Sequence, residues 1–232
     1  MSDKHAKRET SDEVLTQAAS AVRPMPAASL TRVMIEGPAG AIETDVNDPG
    51  ATRRAIALIA HPNPLHGGTK DNKVVTTLAK AFFALGCVAA RPNFRGVGAS
   101  GGSHDQGRGE TEDLVAVAGY LQRQYGELPL VLAGFSFGGF VQTRAAKKLL
   151  PRLMALVAPA VNRVPVEAVP RDTLVIHGEL DDVVPLPAVL DWARPQNLPV
   201  VVVPGGDHFF HGRLNLLAGL VTRYFRAHAA DA

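Results

Sequence analysis

A serine hydroxyl becomes a nucleophile when a base takes its proton and a turn of the chain holds it clear of its neighbours. Ser136 stands in Gly134-Phe135-Ser136-Phe137-Gly138, with a glycine two residues away on each side. The apolar run Leu130-Val131-Leu132-Ala133 precedes it, and a helix-like stretch from Phe137 to Leu150 follows, closed by Pro151. Gly-x-Ser-x-Gly alone arises by chance. Between an apolar strand and a helix it reads as a nucleophile elbow, a sharp turn that pushes a strained serine out of the sheet edge. Small residues at both ends let strand and helix pack closely. The helix start presents free N–H groups and a positive dipole end to developing negative charge.

The base and its partner must then be found. In elbow-type sites the chain order is Ser, then Asp or Glu, then His. His177, His208, His211 and His228 follow Ser136, the last at the end of the last predicted helix. His208 follows the run Val200-Val201-Val202-Val203 through Pro204-Gly205-Gly206-Asp207, which places it just past the last predicted strand. His211, three residues on, is the competitor. His177 ends an earlier apolar run and reads as a residue that shapes a turn. The acid belongs on the loop after Thr173 to Ile176, where Asp181 and Asp182 both qualify; spacing does not separate them. Asp207 adjoins His208, but neighbouring side chains on a loop usually diverge. The acid's task is to orient the imidazole and stabilise its charged form.

An acyl-transfer site also needs donors for the developing oxyanion. One is the backbone N–H of Phe137, the residue after the nucleophile. The second is expected from the loop His61-Pro62-Asn63-Pro64-Leu65-His66-Gly67-Gly68, after the apolar run Ala55 to Ala60. Pro62 and Pro64 have no N–H, so Asn63 is the only donor between His61 and Leu65, and its neighbours are stiff.

Other chemistries fit less well. His61 and His66, with Asp71 nearby, lack a matching ligand pair elsewhere, so no metal is expected. Gly96, Gly98, Gly101 and Gly102 lack the Gly-Lys-Ser/Thr ending of a phosphate loop, and no cofactor is expected. Cys87, the one cysteine, lies in an apolar run and reads as a small buried hydrophobe.

The elements that must position these residues alternate. Leu30 to Ile35 and Ala41 to Val46 read as strands joined through Gly37-Pro38-Ala39-Gly40. Ala55 to Ala60 is a strand covered on both faces. A helix is predicted over about Asn72 to Leu85, a strand over Cys87 to Ala90, and a helix over Glu112 to Tyr125. Beyond the elbow come strands at Leu153 to Ala158 and Thr173 to Ile176, a short helix at Val189 to Ala193, the strand Val200 to Val203, and a last helix over Leu214 to Ala229. This alternation argues for an α/β fold with a mostly parallel sheet of about eight strands and helices on both faces. Such a sheet binds ligands at the C-terminal ends of its strands, which is where the candidate residues fall.

The chain has 232 residues, 46% of them hydrophobic, enough for a single domain over 30–232 with a large core. Residues 1–29 read as a flexible N-terminal tail; Arg23-Pro24-Met25-Pro26 would end any helix begun near Val14 and Leu15. A net charge of +2 without basic runs gives no reason to expect nucleic acid as partner. No segment has the length of a membrane span or the apolar core of a secretory signal, so no membrane partner and a cytoplasmic location are expected.

The chain resembles the small, lid-less bacterial members of the α/β-hydrolase superfamily, more distantly the dienelactone hydrolases and carboxylesterases. The matching stretches are His61-Pro62-Asn63-Pro64 with Gly67 to Lys73, Asn93 to Ser100, Gly134 to Gly139, His177 to Pro185, and Gly206-Asp207-His208-Phe209-Phe210. They span about residues 30–228. The superfamily pattern His-Gly-x-x-Asp-x-x-Val-Pro falls on Asp181 and so chooses it over Asp182; Asp-His-x-Phe falls on His208. Many relatives have His-Gly or His-Pro-His where this chain has Asn63, which leaves the backbone donor intact. Larger relatives carry a lid where this chain has only about residues 159–172, so no cap domain and an open site are expected, with Phe135, Phe137, Phe209 and Phe210 as candidate lining or as core.

The resemblance implies hydrolysis of a small or accessible carboxylic ester by Ser136, His208 and Asp181, with Asn63 and Phe137 as oxyanion donors. A thioester, a lactone or a small amide is the neighbouring alternative. A hydrolase-fold protein that binds without turnover is the alternative from another class. A small-molecule substrate is the expected partner, and the fold class leaves a homodimer open.

Overall fold

The computed structural model describes residues 28–162 and 166–228. The predicted tail up to residue 27, any helix near Val14 and Leu15, and residues 163–165 lie outside that range.

Eight strands form one sheet in the order β1-β2-β4-β3-β5-β6-β7-β8. β1 (Ser29–Gly37) and β2 (Gly40–Asp48) make an antiparallel hairpin, and β2 pairs antiparallel with β4 (Cys87–Pro92). From β4 onward every pairing is parallel: to β3 (Ala55–Ala60), β5 (Leu130–Phe135), β6 (Leu153–Val157), β7 (Thr173–Gly178) and β8 (Val200–Val203). Parallel pairing forces a crossover after each strand, and helices fill these crossovers except between β6 and β7, where the described residues form none.

The helices cover both faces. α1 (Lys73–Ala84) and α5 (Leu214–His228) lie on one face; their Val74, Leu78, Phe82, Leu217, Val221 and Phe225 meet Ala57, Ile59, Ala133 and Ala155 of the strands. α2 (Arg108–Tyr125) and α3 (Phe137–Leu149) cover the other, where Leu114, Leu121, Phe140 and Val141 pack on Ile56, Leu58, Leu132 and Leu156. Successive strand residues point to opposite faces, and here both faces are dry. That is why the central strands read as unbroken apolar runs. The small α4 (Leu186–Ala193) closes a third cluster with Val175 and Val184.

Two helices start earlier than the sequence reading placed them. α2 begins at Arg108, not Glu112, because the buried Glu110 carboxylate accepts from the Gly107 and Asp105 N–H groups (2.8 Å each) and so holds the first turn. α4 begins at Leu186, not Val189, because Pro187 fits a first turn, where its missing N–H would have no partner.

One side of the sheet carries a buried ionic cluster. Lys70, only 1% exposed, places Nζ 2.8 Å from Asp45 and 3.0 Å from Asp71. Burial pulls the Asp45 carboxyl up, but hydrogen bonds from Arg32 and Lys70 outweigh it and hold it below the ordinary carboxylate range. The Lys70 backbone N–H donates to Asn93 (2.9 Å), so the cluster ties the start of α1 to the loop after β4.

Candidate active site

The elbow follows from backbone geometry. Ser136, between the last residue of β5 and the first of α3, has φ 55° and ψ −119°, a conformation that L residues avoid. Its N–H donates to Val157 O (2.9 Å), which pins the turn to β6. The flanking glycines are required by contact. A Cβ at Gly138 would lie 2.3 Å from the Ala60 carbonyl oxygen, and one at Gly134 would lie 2.5 Å from Gly138 O. Gln142, one turn into α3, donates to Leu58 O and Ala133 O (2.9 Å each) and fastens the helix to the strands beneath it.

His208 reaches Ser136 from the loop after β8. Its Nε2 is 3.0 Å from Ser136 Oγ, and its Nδ1 is 2.7 Å from Asp181 Oδ2. All three residues are buried, at 7%, 3% and 6% exposure. The other oxygen of Asp181 accepts from the N–H groups of Val183 (3.0 Å) and Val184 (2.7 Å), so the carboxylate cannot turn away. With Nδ1–H donating to Asp181, Nε2 faces the serine hydroxyl as an acceptor. Asp182, the other aspartate of that loop, is exposed. Asp207 points elsewhere, to His211 Nδ1 at 2.6 Å, which occupies both of those alternatives with each other.

His177 does shape a turn. It is wholly buried at the end of β7 and donates from Nε2 to Val184 O (2.8 Å), 3.5 Å from Asp181 Oδ2. Burial pushes its pKa down. It thus clamps the loop that carries Asp181.

The loop after β3 brings Asn63 to the same place. Asn63 and Phe137 line one cavity with Ser136. As the first residue of α3, Phe137 has an N–H with no acceptor in the helix ladder. The Asn63 side chain is used locally: its Oδ1 accepts from Leu65 N (2.9 Å), and Asn63 O accepts from His66 N and Gly68 N. The loop is rigid without help from a ligand.

His61 supplies more of that rigidity. It is fully buried, with Nδ1 donating to Pro62 O (2.7 Å) and Nε2 accepting from Phe94 N (2.9 Å). Burial pushes its pKa down to about 4. Both ring nitrogens are spent, so it has none to offer a metal. It ties the loop after β3 to the loop after β4. That second loop, which holds the cluster of glycines, is braced by Glu43: its Oε2 accepts from Asn93 Nδ2 (2.8 Å) and Ala99 N (3.0 Å). A carboxylate in that position would repel a phosphate, which disposes of the phosphate-loop reading.

The four phenylalanines separate. Phe135 and Phe210 are fully buried and belong to the core. Phe137 lines the cavity, and Phe209 is 44% exposed, edge-on to the His208 ring at 5.1 Å. The sequence reading missed His104 and Gln106, which also line the cavity. Nothing in local spacing marks them; they arrive there through the fold of the loop before α2.

The cavity over Ser136 measures about 190 Å³, small beside the roughly 300–1,000 Å³ of drug-sized sites. A larger cavity of about 730 Å³ opens at the opposite end of the sheet, around Arg54, Gly86, Cys87 and Arg152. It lies at the N-terminal ends of the strands, the wrong end for chemistry in such a fold. Its one thiol, Cys87, is pushed by burial up to about 12 and is inert as a nucleophile.

Among the described residues no helix is long and apolar enough to cross a membrane. No cap domain covers the site: the described residues between β6 and β7 form no helix or strand.

Comparison with known proteins agrees with this architecture. Residues 63–186 match the family described as serine aminopeptidase, S33. A serine hydrolase without lid from Xanthomonas campestris is 37% identical, with a TM-score of 0.81, over 88% of this chain and 97% of that one. A serine hydrolase homologue from Coxiella burnetii is 40% identical, with a TM-score of 0.77, over 83% and 96%. An uncharacterized protein of Rickettsia prowazekii is 29% identical over 84% of this chain and 88% of its own length. With its elbow serine, doubly wound sheet and uncovered site, the chain belongs to the serine aminopeptidase S33 family and is an α/β serine hydrolase of the lid-less kind.

Proposed function

We propose that the protein hydrolyses carboxylic esters of small, accessible substrates through Ser136, His208 and Asp181. The observation that supports this reading is the unbroken chain from Ser136 Oγ to His208 Nε2 (3.0 Å) and from His208 Nδ1 to Asp181 Oδ2 (2.7 Å). In the first step Oγ attacks the ester carbonyl carbon while Nε2 takes its proton. The carbonyl oxygen becomes an oxyanion facing the Asn63 and Phe137 N–H groups, each such donor being worth about 3–4 kcal/mol. Collapse breaks the bond to the alcohol, which leaves with the proton from His208. A water then repeats the attack on the acyl-enzyme, His208 again taking and returning a proton, and the acid departs.

The family name favours an amide as second reading. An aminopeptidase must hold its substrate's terminal ammonium, and among the described residues no carboxylate lines the cavity to do so. The ester reading therefore stands first, with thioesters and lactones as variants of the same chemistry.

The test is a panel of chromogenic esters, thioesters and aminoacyl amides, with a fluorophosphonate label. Ester turnover and labelling should both vanish in Ser136→Ala. Retained turnover by the purified variant would sink the assignment, and a Ser136 that neither labels nor turns over any panel member would favour a binding protein.

A further inference from the structure

The polar wall of the cavity is built with more care than a passive rim needs. His104 and Gln106 both line it beside Ser136 and Phe137. They sit on the short loop before α2, and that loop is held from within by Glu110. The Glu110 side chain is completely buried and takes the N–H groups of Asp105 and Gly107 at 2.8 Å each. Gln106 is held at φ 52°, strained for a residue with a side chain. Gly107, at φ 89°, lies under Phe140; a Cβ there would come within 2.4 Å of the ring. The loop thus has one shape, and that shape points two polar residues at the nucleophile's cavity.

His104 is the more informative of the two. Its Nδ1 lies 2.9 Å from Glu110 Oε1, off the axis of a linear hydrogen bond, and is otherwise without a partner. The ring stands 5.3 Å from that of Phe137, at an interplanar angle of 50°. It is therefore fixed on one side by a buried carboxylate and on another by the residue that follows the nucleophile. Nε2 has no partner among the described residues. Nδ1 faces the Glu110 carboxylate, so Nε2 is the ring nitrogen left to meet a substrate, and it donates to an ether or carboxylate oxygen when it bears the proton.

We infer that His104 is a specificity residue: it engages an oxygen atom carried by the substrate close to its scissile ester, so that the site selects oxygen-bearing small esters over plain alkyl ones. This rests on the ester reading above and narrows it. Gln106 supplies a second polar group on the same wall. The lining also includes the polar Asn63 and His66 and the apolar Ala160, Val183 and Val184, and the apolar residues give the alkyl part of either substrate the same contact. Discrimination therefore falls to the polar side. One hydrogen bond made there and lost with a methylene separates two isosteric substrates by about tenfold.

The experiment compares isosteric ester pairs by pH-stat, each rate divided by the rate of hydroxide hydrolysis of the same ester. Methyl methoxyacetate against methyl butyrate places an ether oxygen on the acyl side. 2-Methoxyethyl acetate against butyl acetate places it on the alcohol side. Monomethyl succinate against methyl 4-methylpentanoate asks whether a carboxylate is the preferred form of that oxygen. The expected result is a higher corrected kcat/KM for the oxygen-bearing member of at least one pair. In His104→Leu that ratio should fall about tenfold, whatever change in kcat/KM the two members of the pair share. His104→Asn, which keeps an N–H donor, should retain part of the preference. If His104→Leu fails to fold by circular dichroism, His104→Phe against His104→Asn makes the same comparison. Ratios equal to one in every pair, or unchanged on replacing His104, overturn the inference. No ester turnover at all, with Ser136 unlabelled by fluorophosphonate, overturns the ester reading instead.

Discussion

Ser136, His208 and Asp181 lie 27 to 72 residues apart in the chain and touch in space. Each closes a strand or opens the loop beyond one, so each was readable from where an apolar run ends. On the proposed mechanism Ser136→Ala should lower kcat by about 10⁶, and Asp181→Asn by about 10⁴ with little change in KM, because asparagine no longer fixes the tautomer that leaves Nε2 as acceptor. Steady-state kinetics on the preferred ester, with circular dichroism to show an intact fold, checks both. Spacing did not separate Asp181 from Asp182. Burial does, since one faces His208 and the other faces water. The clamping role of His61 lay beyond sequence reading, for its partners are the backbone of Pro62 and of Phe94, 33 residues away.

His61 also makes a prediction about acid. Its pKa falls from an ordinary 6.5 to about 4 in the folded chain, so the unfolded chain binds the proton more readily. The stability that depends on its neutral form is complete above about pH 6.5 and is lost as the pH drops toward 4, by about 3 kcal/mol in all. Thermal unfolding across that range should show a falling Tm, and His61→Asn should flatten the slope while lowering stability at neutral pH.

At the scale of elements, the loops matter more than the helices they join. The loop after β3 owes its shape to two prolines, the Asn63 side chain and the clamp from His61, and the donor proposed for it is a backbone N–H. Asn63→Ala should therefore keep the donor and lose only the bond to Leu65 N, lowering kcat by up to about tenfold. The elbow is less forgiving. Gly138→Ala puts a methyl 2.3 Å from Ala60 O, so α3 must move off β3. Turnover should drop to near that of Ser136→Ala, and the unfolding midpoint should fall with it. The alternation of strands and helices was legible because every central strand is covered twice. The start of α2 was not, because a glycine and a glutamate three residues later cap that helix without the usual Ser or Thr. Missing that start also hid the loop before it, and with it His104 and Gln106.

At the scale of the molecule, the ionic cluster around Lys70 bridges the antiparallel and parallel parts of the sheet. Lys70→Met would leave Asp45 buried against Arg32 (2.7 Å) and Arg91 (3.6 Å) alone. Stability to urea should fall by about 3 kcal/mol, the low end for a broken buried pair, because two cations remain. The loss should appear in the unfolding midpoint before it appears in kcat. No sequence pattern announced this cluster, since its members come from β1, β2, β4 and the loop before α1.

The uncovered site has a kinetic consequence. Where a lid must swing aside, turnover carries the rate of that swing, and lipid interfaces that trap the open form accelerate the enzyme. Here, among the described residues, no lid lies over Ser136. Rate against concentration should rise as a plain hyperbola through the solubility limit of the ester, with no jump when droplets form. Added viscogen should slow encounter, seen in kcat/KM when chemistry is fast, and leave kcat alone.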